Sequence, residues 1–152
     1  MADTNQKSFR VFPASWDTQQ QKIMTIRKLV FIDEQNVPID IEMDDQDHEI
    51  CWFVLAEDDE SGEAIGTGRL LPGGKIGRMA VLKSHRGRGV GSAILSALMQ
   101  LAFDMGLEEL YLNGQTHARA FYSAHGFIAE GQEFDEAGIS HIKMRYSRQQ
   151  HS

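Results

Sequence analysis

Apolar positions along the chain change period several times, and each change marks an element. Ser8 to Phe12 alternates polar with apolar, the pattern of a first strand. Pro13-Ala14-Ser15-Trp16-Asp17 turns the chain, with Asp17 as a candidate N-cap. Ile23, Ile26, Val30 and Phe31 then share one helical face and predict an amphipathic helix over about 18–34, ended near Pro38. Residues 40–49 read as an acidic loop. Cys51 to Glu57 is a dense apolar run of strand type. The turn Asp58 to Gly62 joins it to a hairpin partner, Glu63 to Leu71. Pro72-Gly73-Gly74 turns again into a strand from Lys75 to Leu82.

The period then lengthens. Val90, Ile94, Leu98, Leu101, Ala102 and Met105 recur at helical spacing and predict a second long helix over about 88–105, with Gly106 just past its end. Glu109 to Leu112 is a short strand, and Thr116 to His125 a helix closed by Gly126. Phe127 to Phe134 and Ile139 to Tyr146 suit two last strands around the turn Asp135 to Gly138. The order β-α-β-β-β-α-β-α-β-β predicts an α/β (mixed α+β) fold, a mixed sheet flanked by helices.

Length and composition narrow the class. At 152 residues, 41% hydrophobic and 24% charged, the chain reads as one globular domain over 1–152. No apolar stretch approaches the ~20 residues of a membrane span. The polar start shows no secretory segment, so the expected location is cytoplasmic. The single cysteine, Cys51, excludes an internal disulfide and reads as a buried apolar residue rather than a nucleophile. No His, Cys and carboxylate set has metal spacing, so no metal is expected. A net charge of -7 argues against a nucleic-acid partner.

Against that acidic background one basic cluster stands out. Leu82-Lys83-Ser84-His85-Arg86-Gly87-Arg88-Gly89-Val90-Gly91-Ser92 links a strand to a helix through glycines. Glycines let backbone approach a ligand closely. The helix start offers free N–H groups and a positive dipole end. Together they read as an anion site suited to a phosphate or pyrophosphate. The Walker pattern is absent, and Ser92 stands where a dinucleotide fingerprint needs its third glycine.

Arg86, Gly89 and Gly91 match the loop pattern Arg/Gln-x-x-Gly-x-Gly/Ala. Gln115, Ala118, Phe121, Tyr122, Gly126 and Phe127 match a second pattern after a short strand, with Gln in the usual Asn position. With these two motifs, in this order, the chain resembles the GNAT superfamily of acetyl-CoA-dependent N-acyltransferases over about 9–146. Glu34-Gln35-Asn36-Val37-Pro38 and Gly138 to Met144 resemble its ElaA/YjcF-like branch. The resemblance implies a twisted sheet splayed between strands four and five, with acetyl-CoA in the splay. It implies that Met79, Ala80 and Val81 pair with the pantetheine arm. It places the pyrophosphate on Arg86, Gly87, Arg88, Gly89, Val90, Gly91 and Ser92, with Gln115 beside the cofactor. Lys83, Arg86 or Arg88 would reach the 3′-phosphate. Dimerisation through the last strands is a family habit.

The implied reaction is amine attack on a thioester. The resemblance assigns Tyr122 as the acid that protonates the leaving thiolate, against ring packing as the plain alternative. Glu34, at the end of the first helix, is the candidate base, against a surface carboxylate. His48, Glu42 and His141 are other options, as is a water chain. Asp40, Glu42, Asp44, Asp45, Asp47 and Glu49 form either a solvated loop or a lure for a cationic amine. Calcium fits poorly, since Asp45 stands at the glycine position of an EF-hand and Cys51 at its glutamate. His85 adjoins the phosphate loop, and His117 and His125 read as surface or capping groups. Arg78 either orients a substrate acid or makes a salt bridge, and Trp16 and Trp52 read as core or interface. The expected activity is acetyl transfer to a primary amine of a small molecule. The alternative is a silent acetyl-CoA-binding sensor or interaction module.

Overall fold

Seven strands follow in the expected order, with one short α-helix more than expected, in the computed structural model, which describes residues 8–42 and 50–151. Strands β1 (Phe9–Ala14), β2 (Trp52–Asp58), β3 (Ala64–Leu70) and β4 (Ile76–Val81) form an antiparallel sheet in that order. Strands β5 (Glu109–Gln115), β6 (Ile128–Glu136) and β7 (Ile139–Ser147) form a second, with β7 in the middle. The two sheets meet in parallel at Lys75 and Tyr111, where the Tyr111 N–H donates to the Gly74 carbonyl at 3.1 Å. The expected mixed sheet is thus two antiparallel blocks joined at one point. Beyond it β4 and β5 part, which is the expected splay.

Helix α1 (Trp16–Arg27) starts two residues earlier than expected. Its N-cap is Ser15, not Asp17: the Ser15 hydroxyl accepts the Asp17 N–H at 3.2 Å. Asp17 instead sits in the first turn, where a negative charge suits the dipole. The predicted helix over 18–34 does not stay α-helical. Lys28–Glu34 winds as a π-helix, and the Gln35 N–H reaches the Val30 carbonyl at 3.1 Å, five residues back. Such wide turns recur at functional sites. The short helix α2 (Ile39–Glu42) occupies the start of the segment expected to be a loop.

Helix α3 (Val90–Asp104) buries Val90, Ile94, Leu95, Leu98, Met99 and Ala102. It lies close on β3 because that strand carries glycine beneath it. A Cβ on Gly68 would stand 2.7 Å from Leu98 Cδ1. The other face of the first sheet carries α1, with Ile23, Ile26 and Val30 against Phe53, Leu55 and Ala80. Trp16 stacks on Phe53 at 5.2 Å, and Trp52 packs on the main core. Cys51 precedes β2 and is half-buried rather than buried. The last short helix splits into a 3-10 turn, Thr116–Ala118, and α4 (Arg119–Ala124).

Glu57, buried in β2, accepts from Arg10 at 2.7 Å and Lys22 at 2.8 Å. The Lys22 and Arg10 hydrogen bonds hold its carboxyl below the usual carboxylate range. A lowered folded-state value contributes stability above the unfolded value, about 4.3, that is lost as pH falls through the folded one. Glu57→Gln should therefore lower Tm at pH 7, by about 1–4 °C, and by clearly less at pH 3. A gap that stays constant between those pH values in thermal melts would refute this.

Candidate active site

The parting of β4 and β5 opens a cavity of about 1420 Å³. The glycine loop closes one end. Gly87 and Gly89 adopt φ of +80° and +85°, and Gly89 caps α3. A Cβ at either would meet nothing within 4 Å, so the backbone lies open. The first helical bond of α3 runs from the Ala93 N–H to the Gly89 carbonyl. The N–H groups of the turn before it have no acceptor within the helix. Behind this turn the Ser92 hydroxyl meets His125 Nε2 at 3.1 Å. His125 is half-buried against Phe121, not a surface group, and burial pushes its pKa down.

The free edge of β4 forms one wall. The Leu82 N–H donates to Ile65 of β3. By strand alternation Val81 therefore turns its N–H and C=O to the opposite edge, into the cleft. Arg78, at φ +51°, sits where the β3–β4 register shifts opposite Gly68. Its Nη2 donates to the Glu42 carbonyl at 3.3 Å.

Arg86 does not point along the glycine loop. Its Nε donates to the Val81 carbonyl at 2.9 Å. Its Nη1 and Nη2 donate to the two oxygens of Glu34 at 2.7 and 2.6 Å. The Arg86 hydrogen bonds and charge, with help from Lys83, hold the Glu34 carboxyl below its ordinary value. Glu34, the base expected from the sequence, is therefore committed on both oxygens and weakly basic in this arrangement. Glu42 is committed too: it is buried and paired with buried Arg27 through Nε–Oε1, and the Arg27 Nη2 donates to Oε2 at 3.2 Å. The exposed Arg88 reaches the Ser8 hydroxyl.

Tyr122 stands on α4 against the end of β5. Its ring lies over Gly114, where a Cβ would come within 3.0 Å of Cδ2 and Cε2. Phe121 and Phe127 meet it edge-on at 5.1 and 6.3 Å. Burial pushes the phenol up to about 12, so it keeps its proton at neutral pH. Gln115 ends β5 and donates from Nε2 to Gln35 Oε1 at 2.9 Å.

Residues 18–148 match the family profile described as "Acetyltransferase (GNAT) domain". The chain is 39% identical over 130 residues to the protein named "Uncharacterized N-acetyltransferase YjcF" of Bacillus subtilis, covering 84% of this chain and 92% of that one. The chain belongs to the GNAT acetyltransferase family. Protein ElaA of Escherichia coli is 30% identical over 139 residues, 84% of this GNAT chain and 86% of ElaA. The ElaA crystal structure superposes with a TM-score of 0.80 at 25% identity, over 91% of this chain and 99% of that one. An acyl-CoA N-acyltransferase from Pseudomonas aeruginosa superposes with a TM-score of 0.81 at 27% identity, over 92% and 100%. The protein is thus an acyltransferase of the GNAT type, with the fold expected from its motifs.

The cleft of this GNAT chain gathers most of the residues expected from sequence. Met79, Ala80, Val81, Arg86, Gly87, Gly89, Val90, Gly91, Ser92, Gln115, Tyr122 and Glu34 all line it, while Arg88 stands outside. His85 lines it but is tied to Asp58 at 3.4 Å and Ser84 at 2.9 Å. His117 is exposed at its rim. His48, Asp44, Asp45, Asp47 and Glu49 lie outside the described residues, as does the side chain of Asp40. Among the described residues no three His, Cys, Asp or Glu side chains come together as a metal site. No helix there is long and apolar enough to cross a membrane. Arg69, Gln35 and Glu136 are wall residues that sequence reasoning missed. Arg69 did carry a signal, as the one charged residue in Ala64–Leu70, a strand buried at five of its other six positions. Gln35 and Glu136 sit at the ends of elements and carried none.

Proposed function

We propose that this chain moves an acetyl group from acetyl-CoA to a primary amine of a small molecule, by direct attack in a ternary complex. The observation that carries the reading is the cleft itself. It opens where β4 and β5 part, has the bare first turn of α3 at one end and holds a protonated phenol in its wall. The backbone from Arg86 to Ser92 would take the pyrophosphate, and exposed Lys83 or Arg88 the 3′-phosphate. Met79, Ala80 and Val81 would pair with the pantetheine arm along the free strand edge, with Gln115 facing it from β5. A strand N–H near Ala80–Val81 would donate to the carbonyl oxygen as charge develops there, worth about 3 kcal/mol. Tyr122 would give its proton to the leaving sulfur.

This reading gives the Glu34–Arg86 pair a task. Arg86 Nε occupies the Val81 carbonyl, an acceptor that the pantetheine arm needs. Arg86 must therefore leave Val81 on binding, and Glu34 keeps the displaced guanidinium paired. Thermal unfolding with acetyl-CoA, with NAD and ATP as controls, tests the reading. Ligand at about 100 times its Kd adds about 2.7 kcal/mol, or roughly 5–11 °C at this size. A shift with acetyl-CoA alone, followed by thiol release with an amine panel, supports it. No shift at millimolar ligand refutes it, and a shift without thiol release from any amine favours the silent module.

A further inference from the structure

Strand β7 brings one histidine to the cleft from the side opposite Tyr122. His141 pairs across the sheet with Gln115 on β5 and Phe134 on β6. Its neighbours Ile142 and Met144 face the core, opposite Gly114 and Leu112, where Tyr122 also packs. Alternation puts the His141 ring on the other face. It lines the cleft there, is 7% exposed and stacks on Phe134 at 6.0 Å.

The hydrogen bonds of this ring fix its chemistry. Nδ1 lies 2.7 Å from the carbonyl of Ile139 in its own strand. A carbonyl only accepts, so Nδ1 carries the hydrogen, and the neutral ring has its lone pair on Nε2. Nε2 faces the Glu136 carboxylate at 3.8 Å, across the tip of the β6–β7 hairpin. Glu136 is the acidic group beside the ring, and Lys143, two residues along the same face, holds its ammonium over the Tyr111 ring. Gln115 opposite is neutral, and Glu34 and Arg86 elsewhere on the cleft wall neutralise each other.

We propose that His141 is the general base that prepares the acceptor amine, with Glu136 drawing the ammonium to it. The inference rests on the acetyltransferase reading above. The ammonium nitrogen gives one proton to Nε2 and gains a lone pair. That pair forms the N–C bond to the acetyl carbon while the carbonyl π pair moves to oxygen. Its return breaks the C–S bond and leaves the bonding pair on sulfur. Tyr122 protonates the sulfur and is reprotonated by the second proton lost from nitrogen. The first proton leaves Nε2 for water past Glu136. Two carboxylates already held by arginines are thereby replaced, as the base, by a ring that keeps its lone pair on Nε2, beside Glu136.

The test compares acceptors that differ in protonation. n-Butylamine and spermidine are ammonium ions at pH 7.5, whereas hydroxylamine is largely neutral. His141→Gln should lower kcat with the first two by about 100-fold or more, and with hydroxylamine by far less. It should also leave the thermal shift with acetyl-CoA unchanged. Equal loss with all acceptors, or full retention, would overturn the base role alone. Nitrogen-edited NMR of the histidine rings gives a readout without turnover. The Nδ1–H tautomer of His141 is expected, and an Nε2–H tautomer would overturn the proposal. No acetyl-CoA shift in the wild type would overturn the acetyltransferase reading, and the base role with it.

Discussion

Tyr122→Phe is expected to lower kcat by about 100-fold or more, with acetyl-CoA affinity and Tm little changed. The substitution leaves the ring where it is. The phenyl face over Gly114 and the edges toward Phe121 and Phe127 are shared by both residues. What disappears is the proton, which burial fixes on the oxygen by pushing the phenol up to about 12. The sulfur it serves would be desolvated in the same cleft, and burial raises the proton affinity of a thiolate as it does that of a phenolate. Acid and leaving group therefore rise together. Since Tyr122 stays protonated well past pH 10, loss of kcat below that pH belongs to another group.

A companion variant separates the proton from its position. Gly114→Ala keeps the hydroxyl but drives a methyl to within 3.0 Å of the ring carbons Cδ2 and Cε2 and 3.1 Å of Leu112 Cδ1. The ring must shift, and kcat should fall with the phenol intact. Full kcat for Tyr122→Phe between pH 6 and 10, in a thiol-release assay, would end the acid role.

How far the site was legible follows from how far each feature is local. The glycine loop was legible because a short stretch holds both the glycines and the helix they cap, and Gly87 and Gly89 adopt the backbone that only glycine takes easily. Strands β5 and β7 were legible as elements, although β5 runs three residues past its expected end at Leu112. Their neighbourhood was not: β7 lies between β5 and β6, and only that order sets His141 opposite Gln115. The π-helix was hidden because Ile23, Ile26 and Val30 fall inward whether the next turn is wide or regular. Glu34 illustrates the remaining gap. Its position at a helix end was readable, but its clasp on Arg86, 52 residues away, was not. That clasp turns a candidate base into a tether.

Arg27→Met should produce the largest loss of stability. Arg27 and Glu42 are 0% and 1% exposed, and they hold α2 against α1. The guanidinium donates to both carboxylate oxygens and to the Glu42 carbonyl. Methionine fills much of the arginine stem's volume but donates nothing, so the substitution leaves a buried charge facing apolar atoms. Breaking such a pair on one side costs about 3–5 kcal/mol, a fall in Tm of roughly 6–20 °C. Arg27→Met with Glu42→Leu removes both charges and should recover most of the loss, because burying an ion pair is no better for stability than a packed apolar pair. Activity separates the two roles of this contact. The Glu42 carbonyl also receives Arg78 Nη2, at the register shift of β4. A double variant that regains its Tm but not its turnover would show that the pair sets the shape of the cleft wall as well as holding the helices. Equal melting of wild type and Arg27→Met at pH 8 would show that the pair contributes nothing to the fold.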